Sequence, residues 1–359
     1  MAKARSLVGL DVHATKVVAV LDVDTGQLQT FAMTGDTAGA AGFCAGLPRP
    51  VRVAYEAGPT GYGLARELAR RGVECVVAAP SKIPRASGDR VKTDRRDAEH
   101  LVRLLLAGKL HAVRVPGAEE EALRDLVRAR DAVRMDLMRC RHRLSKLLLR
   151  HGIRFDDGNG GPSVTATGWP RSRWTGRRRR RHCWTPAARS TRSCTAASSW
   201  SARSSRCSRR ARGRCRSGGC GAPRGVDTLT AVGRCSEIGD FERFARAGQL
   251  SSYVGLVPSE STTGQQRRLG SITKTGSGHA RRLLVEAAWH YRSRPSIGRA
   301  LSDRQADQPP EAIAIAWSAQ RRLHRTWTRL EARAKRRTII AVAAARELAG
   351  FAWAITQTE

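Results

Sequence analysis

The chain has 359 residues, 41% of them hydrophobic, enough for two domains of ordinary size with buried cores. Lys and Arg number 65 against 31 Asp and Glu, a formal charge of +34 that points to a polyanionic partner and away from a simple metabolic enzyme. No run approaches the ~18 apolar residues of a spanning helix, Met1 to Asp11 does not read as a signal peptide, and nine scattered cysteines suit a reducing cytoplasm, so membrane and disulfide-scaffold classes are not expected.

Leu7 to Val12 alternates in a β-rich pattern, Lys16 to Asp22 repeats it, and Leu28 to Ala32 follows the turn signal Asp24-Thr25-Gly26, which predicts an antiparallel meander. Thr37 to Leu47 reads as a helix, Val51 to Tyr55 as a strand, Gly61 to Arg71 as an amphipathic helix and Val73 to Ala78 as a strand. Thr93 is a good N-cap for a helix running to about Ala107. Three strands followed by alternating helices and strands predict an α/β fold of ribonuclease H-like (RuvC-like) order over residues 1–115.

Glu119 to Arg150 predicts one long helix within residues 116–158. Positions 123, 126, 130, 133, 137, 140, 144 and 147 step by three and four and are apolar except Arg130, a coiled-coil seam that requires a partner. Residues 159–224 have a different composition: 17 Arg, 11 Ser and five of the nine Cys, with no Lys, Asp, Glu, Leu or Ile. Such a stretch cannot bury enough apolar area to offset its ordering entropy, so a disordered segment is expected. Its composition is that of a GC-rich gene read out of frame, with an arginine-rich nucleic-acid arm at Arg177 to Arg181 as the other reading. Without its +17, a charge of +17 remains over 293 residues.

Residues 225–359 predict a small, basic, mostly helical domain. Val226 to Val232 and Ile238 to Ala247 read as short helices joined like a helix-hairpin-helix, Gly255 to Gly278 as loop, Arg281 to Tyr291 as an amphipathic helix, and Glu311 to Gly350 as one or two more.

Four carboxylates stand at informative places. Asp11 lies on the first predicted strand and Glu56 ends the fourth, and these are neighbours in a ribonuclease H-like sheet. Asp94 and Asp97 stand three apart at a helix start, hence on one face. Hard oxygen ligands gathered in this way suit Mg²⁺ or Mn²⁺, and two such ions can clamp the attacking and leaving oxygens of a phosphodiester. An actin-type or sugar-kinase-type phosphate loop would need Gly and hydroxyl residues after the early Asp, whereas Val12-His13-Ala14-Thr15 follows.

Val8-Gly9-Leu10-Asp11, Tyr55-Glu56-Ala57-Gly58-Pro59-Thr60-Gly61-Tyr62 and Lys92-Thr93-Asp94-Arg95-Arg96-Asp97-Ala98 resemble the three motifs of the DEDD transposases of insertion sequences, of the IS110 and IS1111 type. The resemblance continues in Gly255-Leu256-Val257-Pro258-Ser259-Glu260, in Gly270-Ser271-Ile272-Thr273-Lys274-Thr275-Gly276 and from His279 to Trp289, and covers about 1–155 and 225–355. It implies a metal-binding RuvC-like domain, a coiled-coil linker and a C-terminal transposase domain carrying a hydroxyl nucleophile that bonds covalently to DNA. It also implies an element-encoded structured guide RNA as partner, a homo-oligomer (dimer or tetramer), and action on DNA in the bacterial cytoplasm at the nucleoid. The nucleophile position of the family is occupied here by Thr263, with Ser261 two residues earlier. A Thr hydroxyl offers the same attacking atom, but its methyl crowds the approach and stiffens χ1. Arg267, Arg268, Lys274, Arg281 and Arg282 are expected phosphate contacts. A structure-specific RuvC-like nuclease, or an inactive basic remnant of a transposase, are the alternative readings.

Overall fold

The computed structural model describes residues 5–13, 15–34, 36–84, 93–150, 152, 219–263 and 266–358. It divides into two units, Met1–Gly117 and Ala118–Glu359. Most of 159–224, with its expected disorder, and the motif residue Lys92 lie outside the described residues.

The first unit is a mixed α/β fold. Strands β1 (Ser6–Val12), β2 (Thr15–Asp22), β3 (Leu28–Thr34), β4 (Val51–Glu56) and β5 (Glu74–Ala78) form one sheet in the order β3-β2-β1-β4-β5. The first three are antiparallel and β1, β4 and β5 run parallel. That order is consistent with a ribonuclease H-like fold. Strand alternation divides the side chains between two cores. Val8, Leu10, Val53 and Tyr55 pack on one face against α1 (Thr37–Ala45) and α2 (Gly63–Arg70). Leu7, Ala19 and Ala54 pack on the other against Ala98, Val102 and Leu105 of α3 (Asp94–Leu106). The caps are local and legible. Asp36 accepts the amide of Gly39 at 2.8 Å, and Thr93 accepts that of Arg96 at 3.3 Å.

Gly9 sets the distance between sheet and helix. A Cβ there would overlap the Ala98 carbonyl of α3 and lie 2.9 Å from Val102 Cγ2. Only a residue without a side chain lets α3 close onto β1.

The second unit begins with α4 (Ala118–Arg150), a single 33-residue helix. The first half of α4 finds its partner in α5 (Thr228–Ile238), where Arg124 Nε donates to the Ser236 carbonyl at 2.8 Å and Val127 meets the open side of Gly233. Further along, Leu137 and Leu144 of the expected seam are buried, and so is Leu148 just off it.

After α5 the structure departs from the sequence reading. Gly233 does not end a helix but lies inside α5, because its missing Cβ admits Leu283. The second helix expected over 238–247 is irregular chain, and α6 spans Ala247–Tyr253 instead. The stretch expected to be loop holds an antiparallel hairpin, β6 (Pro258–Thr263) and β7 (Gln266–Ile272). Its strands are polar and exposed, so neither shows the apolar alternation that marks a half-buried strand.

Helices α7 (Gly278–Ala288), α8 (Arg299–Gln305), α9 (Pro310–Ala332) and α10 (Arg337–Thr356) complete the unit around Leu323, Trp327, Ile340 and Leu348, all fully buried. Helix α10 is long and apolar enough by composition to cross a membrane, contrary to the reading of the sequence. Its Ile340, Ala344, Leu348 and Ala352 are nonetheless interior packing residues of this unit. Packing also begins earlier than residue 225. Cys220 and Ala222 are buried, and a Cβ on Gly219 would meet Ala312 and Ile355 at 2.6 Å. The boundary expected at 224 therefore lies at or before Gly219.

Candidate active site

Leu10 pairs with Tyr55 across the parallel strands β1 and β4, so Asp11 and Glu56 follow at the same level on neighbouring strands. Asp11 continues the Leu7–Gly9 side and Glu56 the Ala54 side, which is the face that α3 covers. Asp97 precedes Ala98, whose carbonyl lies over Gly9, and Asp94 opens the helix one turn earlier. Asp11, Glu56 and Asp97 are half-buried, whereas Asp94 is exposed. His13 Nε2 stands 3.1 Å from Asp11 Oδ1. The partial positive charge at the start of α3 favours the ionised carboxylates of Asp94 and Asp97 in its first turn. Among the described residues no three carboxylate, His or Cys groups stand close enough to enclose an ion. Asp11 and Glu56 thus share a face at the C-terminal ends of two central strands, and Asp97 lies on the helix that covers that face, without a closed cage. Their all-oxygen donor set suits Mg²⁺ or Mn²⁺.

The hydroxyl and basic residues lie in the second unit. Thr263 ends β6 and pairs with Gln266, at the outer end of the hairpin. Ser261 is exposed and directly opposite Arg268. The expected phosphate contacts separate into two groups. Arg267 grips Glu260 with two hydrogen bonds of 3.0 and 2.9 Å, and Thr262 donates to the same carboxylate. Hydrogen bonds from Arg267 and Thr262 hold the Glu260 carboxyl below its usual range. Arg281 donates to the carbonyls of Val254 and Thr275, both at 2.9 Å, and so ties the chain entering β6 to the chain leaving β7. Arg282 bridges Asp131 and Glu286 at 2.8 Å each. These three guanidiniums have partners within the protein, Arg267 while its side chain stays 68% exposed. Arg268 and Lys274 remain exposed. At the base of the hairpin Gly276 has φ +67°, and a Cβ there would run into the Tyr253 carbonyl.

Sequence reasoning missed a charged network joining α4, α5 and α7. Glu237, with a side chain 1% exposed, accepts from Arg128 at 2.6 and 2.9 Å and from the Ser277 hydroxyl at 2.8 Å. Asp131 meets Arg134, Arg282 and, at 3.8 Å, His279. Arg128 and Asp131 stand off the apolar seam, so the seam gave no signal of them. Burial opposes the Glu237 charge, but Arg128 and Ser277 more than offset it and its carboxyl titrates below the ordinary 4.5. Burial lowers His279 from 6.5, against the pull of Glu237 and Asp131. Both shifts act in one direction. The Glu237 contribution is complete above about pH 4.5 and is lost as pH falls through its depressed folded value. His279 is held neutral, so below about pH 6.5 the unfolded chain takes up its proton first and gains on the fold. The melting temperature of the second unit should fall steadily from pH 7 to 4, and Arg128→Ala should cost ~2 kcal/mol at pH 7, reduced because Arg128 is itself half-exposed. A wild-type melting temperature that stays flat over that range would contradict this account.

Residues 8–153 match the DEDD transposase family of the IS110 type, and residues 223–302 match the family described as Transposase IS116/IS110/IS902. The chain is 42% identical over 310 residues to "Putative transposase y4qE" of Sinorhizobium fredii, covering 84% of this chain and 74% of that protein. It is 30% identical over 291 residues to "Transposase for insertion sequence element IS1533" of Leptospira borgpetersenii, covering 80% and 84%. A shorter match, 39% over 64 residues, is to "Transposase for insertion sequence element IS1111A" of Coxiella burnetii. The chain belongs to the IS110/IS116 family of insertion-sequence transposases.

Proposed function

We propose that the chain excises and inserts an insertion sequence by strand exchange at phosphodiesters. In this reading the ribonuclease H-like domain of residues 1–115 supplies the acids, residues 116–158 form a coiled-coil linker, and the domain from about 219 supplies the hydroxyl. The observation that carries the reading is the placement of Asp11 and Glu56 on adjacent parallel strands, on the face that α3 covers. Asp11, Glu56, Asp94 and Asp97 would hold Mg²⁺ or Mn²⁺. A bound ion there supplies Lewis-acid polarisation of the phosphodiester. The Thr263 oxygen forms a bond to phosphorus as the bond to the departing strand breaks, which preserves a phosphodiester in the protein–DNA link. Arg268 and Lys274 screen the phosphate charge. A structured guide RNA selects the DNA, a dimer or tetramer brings the sites together, and the work is done at the nucleoid.

The test is a denaturation-resistant protein–DNA adduct, formed when the wild-type chain meets a duplex carrying the element end with Mg²⁺. The adduct should map to Thr263, vanish in Thr263→Ala and form faster, roughly tenfold, in Thr263→Ser, where the obstructing methyl is gone. Cleaved DNA without an adduct would instead identify a plain nuclease. An adduct on Ser261 would move the nucleophile two residues.

A further inference from the structure

From Ala312 to Arg337 the sequence carries eight Lys and Arg and a single acid, Glu331. The long helix α9 and its turn into α10 arrange these cations in a definite way. Arg321, Arg325, Arg329 and Arg333 recur at every fourth position, and Lys335 and Arg336 continue them through the turn. All six are exposed. At ~100° per residue the four arginines fall within an arc of ~120°, opposite the arc of Ala319, Leu323 and Trp327 that faces the core. Two neighbouring cations do have partners, since Arg322 pairs with Glu347 at 2.7 Å and Arg337 with Glu331 at 3.0 Å. No ion pair joins any of these six to another described residue.

Like charges at i,i+4 repel by ~0.2–0.5 kcal/mol each, so a solvated helix face ordinarily intersperses acids, as Glu99 does beside Arg95 and Arg103. A ridge of one sign persists at a cost that a polyanion would relieve. Four residues of helix advance ~6 Å, comparable to the step between successive phosphates of a strand, and the ridge is ~18 Å long. The rest of the exposed arc holds Ala314, Ser318, Thr328 and Ala332, together with Arg322, which is paired with Glu347. Trp317, one turn before Arg321, is half-buried rather than laid open as a platform for unstacked bases, and the helix carries no exposed large apolar side chain to anchor a protein interface. We propose that this face of α9 is a docking surface for the sugar–phosphate backbone of duplex DNA, outside both the acid edge and the hairpin. It extends the proposed function, and rests on DNA being the substrate, by naming a sequence-independent grip that holds the duplex while chemistry proceeds elsewhere.

The experiment uses the full chain, wild type and Arg321→Gln/Arg325→Gln/Arg329→Gln, with a fluorescent duplex of unrelated sequence titrated at several salt concentrations. The expected result is a clear loss of affinity and a fall of about 2–3 in the slope of log affinity against log salt, equal for element-end and unrelated duplexes. The triple Lys variant should retain most of the slope. Equal affinity and slope in wild type and triple Gln variant would overturn the surface, as would a loss confined to a structured RNA hairpin or a change in oligomer size with duplex affinity intact. The two readings fail separately. If the ridge variant loses affinity as expected but the wild type never nicks DNA with Mg²⁺, the acid site falls and the surface stands. If the wild type nicks DNA and the ridge variant binds as well as it does, the reverse holds.

Discussion

Asp11→Asn should lower the strand-cleavage rate by about three orders of magnitude or more while leaving the melting temperature nearly unchanged. The substitution keeps the shape of the side chain and removes one negative charge beside Glu56 on the neighbouring strand. The contact to His13 at 3.1 Å should contribute little to stability, because that side chain is 59% exposed. If Asp11 holds the ion as proposed, catalysis has much to lose, because a missing ligand forfeits several kcal/mol of transition-state charge stabilisation. Glu56→Gln should behave alike, and the double variant should be scarcely worse than either alone, as expected for groups that act as a unit. Asp94→Asn should cost less, since Asp94 is exposed at the start of α3 whereas Asp97 lies a turn closer to the Gly9 contact. Cleavage at the wild-type rate by Asp11→Asn, measured on a labelled duplex with Mg²⁺, would remove this carboxylate from the chemistry.

Gly9→Ala should damage both stability and activity, although Gly9 has no side chain to contribute to either. The added methyl meets the backbone carbonyl of Ala98, which no rotamer change can move, and Val102 lies close behind. Relief requires lifting α3 from β1, which separates Leu7, Ala19 and Ala54 from Ala98, Val102 and Leu105. A cost of ~3 kcal/mol is expected, a large part of the margin of a unit this size. The same lift carries Asp97 away from Asp11 and Glu56. A displacement of ~1 Å in such a constellation typically costs ~100-fold in rate. Gly9→Val should be worse on both counts. Calorimetry of the full chain measures the first effect and the cleavage assay the second. A Gly9→Ala protein that melts and cleaves like wild type would show that α3 does not rest on this contact.

The first unit was readable because its signals are local. The alternation of Leu7 to Val12, the Asp24-Thr25-Gly26 turn and the Thr93 cap each specify an element within a few residues, and the strand order follows from their sequence. The faces of Asp11 and Glu56 could be inferred from that alternation alone. The second unit was harder, because its structure depends on partners distant in sequence. Gly233 reads as a helix breaker until Leu283 is placed against it. The hairpin β6–β7 is polar on both sides, so no hydrophobic period betrays it. Arg267, Arg281 and Arg282 look alike in sequence, and only the positions of Glu260, the Val254 and Thr275 carbonyls, and Asp131 reveal the partners each one holds. Glu237 lay in no motif, and its burial beside Arg128 and Ser277 is a product of three helices meeting.

Helix α10 has a consequence for how the protein is made. Ile340, Ala344, Leu348 and Ala352 line the interior of the second unit, and the helix packs on α6, α7 and α9, which precede it in the chain. A ribosome must therefore deliver the polypeptide almost to residue 356 before that interior can seal. Products of early termination upstream of codon 337 would emerge with their apolar lining open to water and would be prone to proteolysis and aggregation.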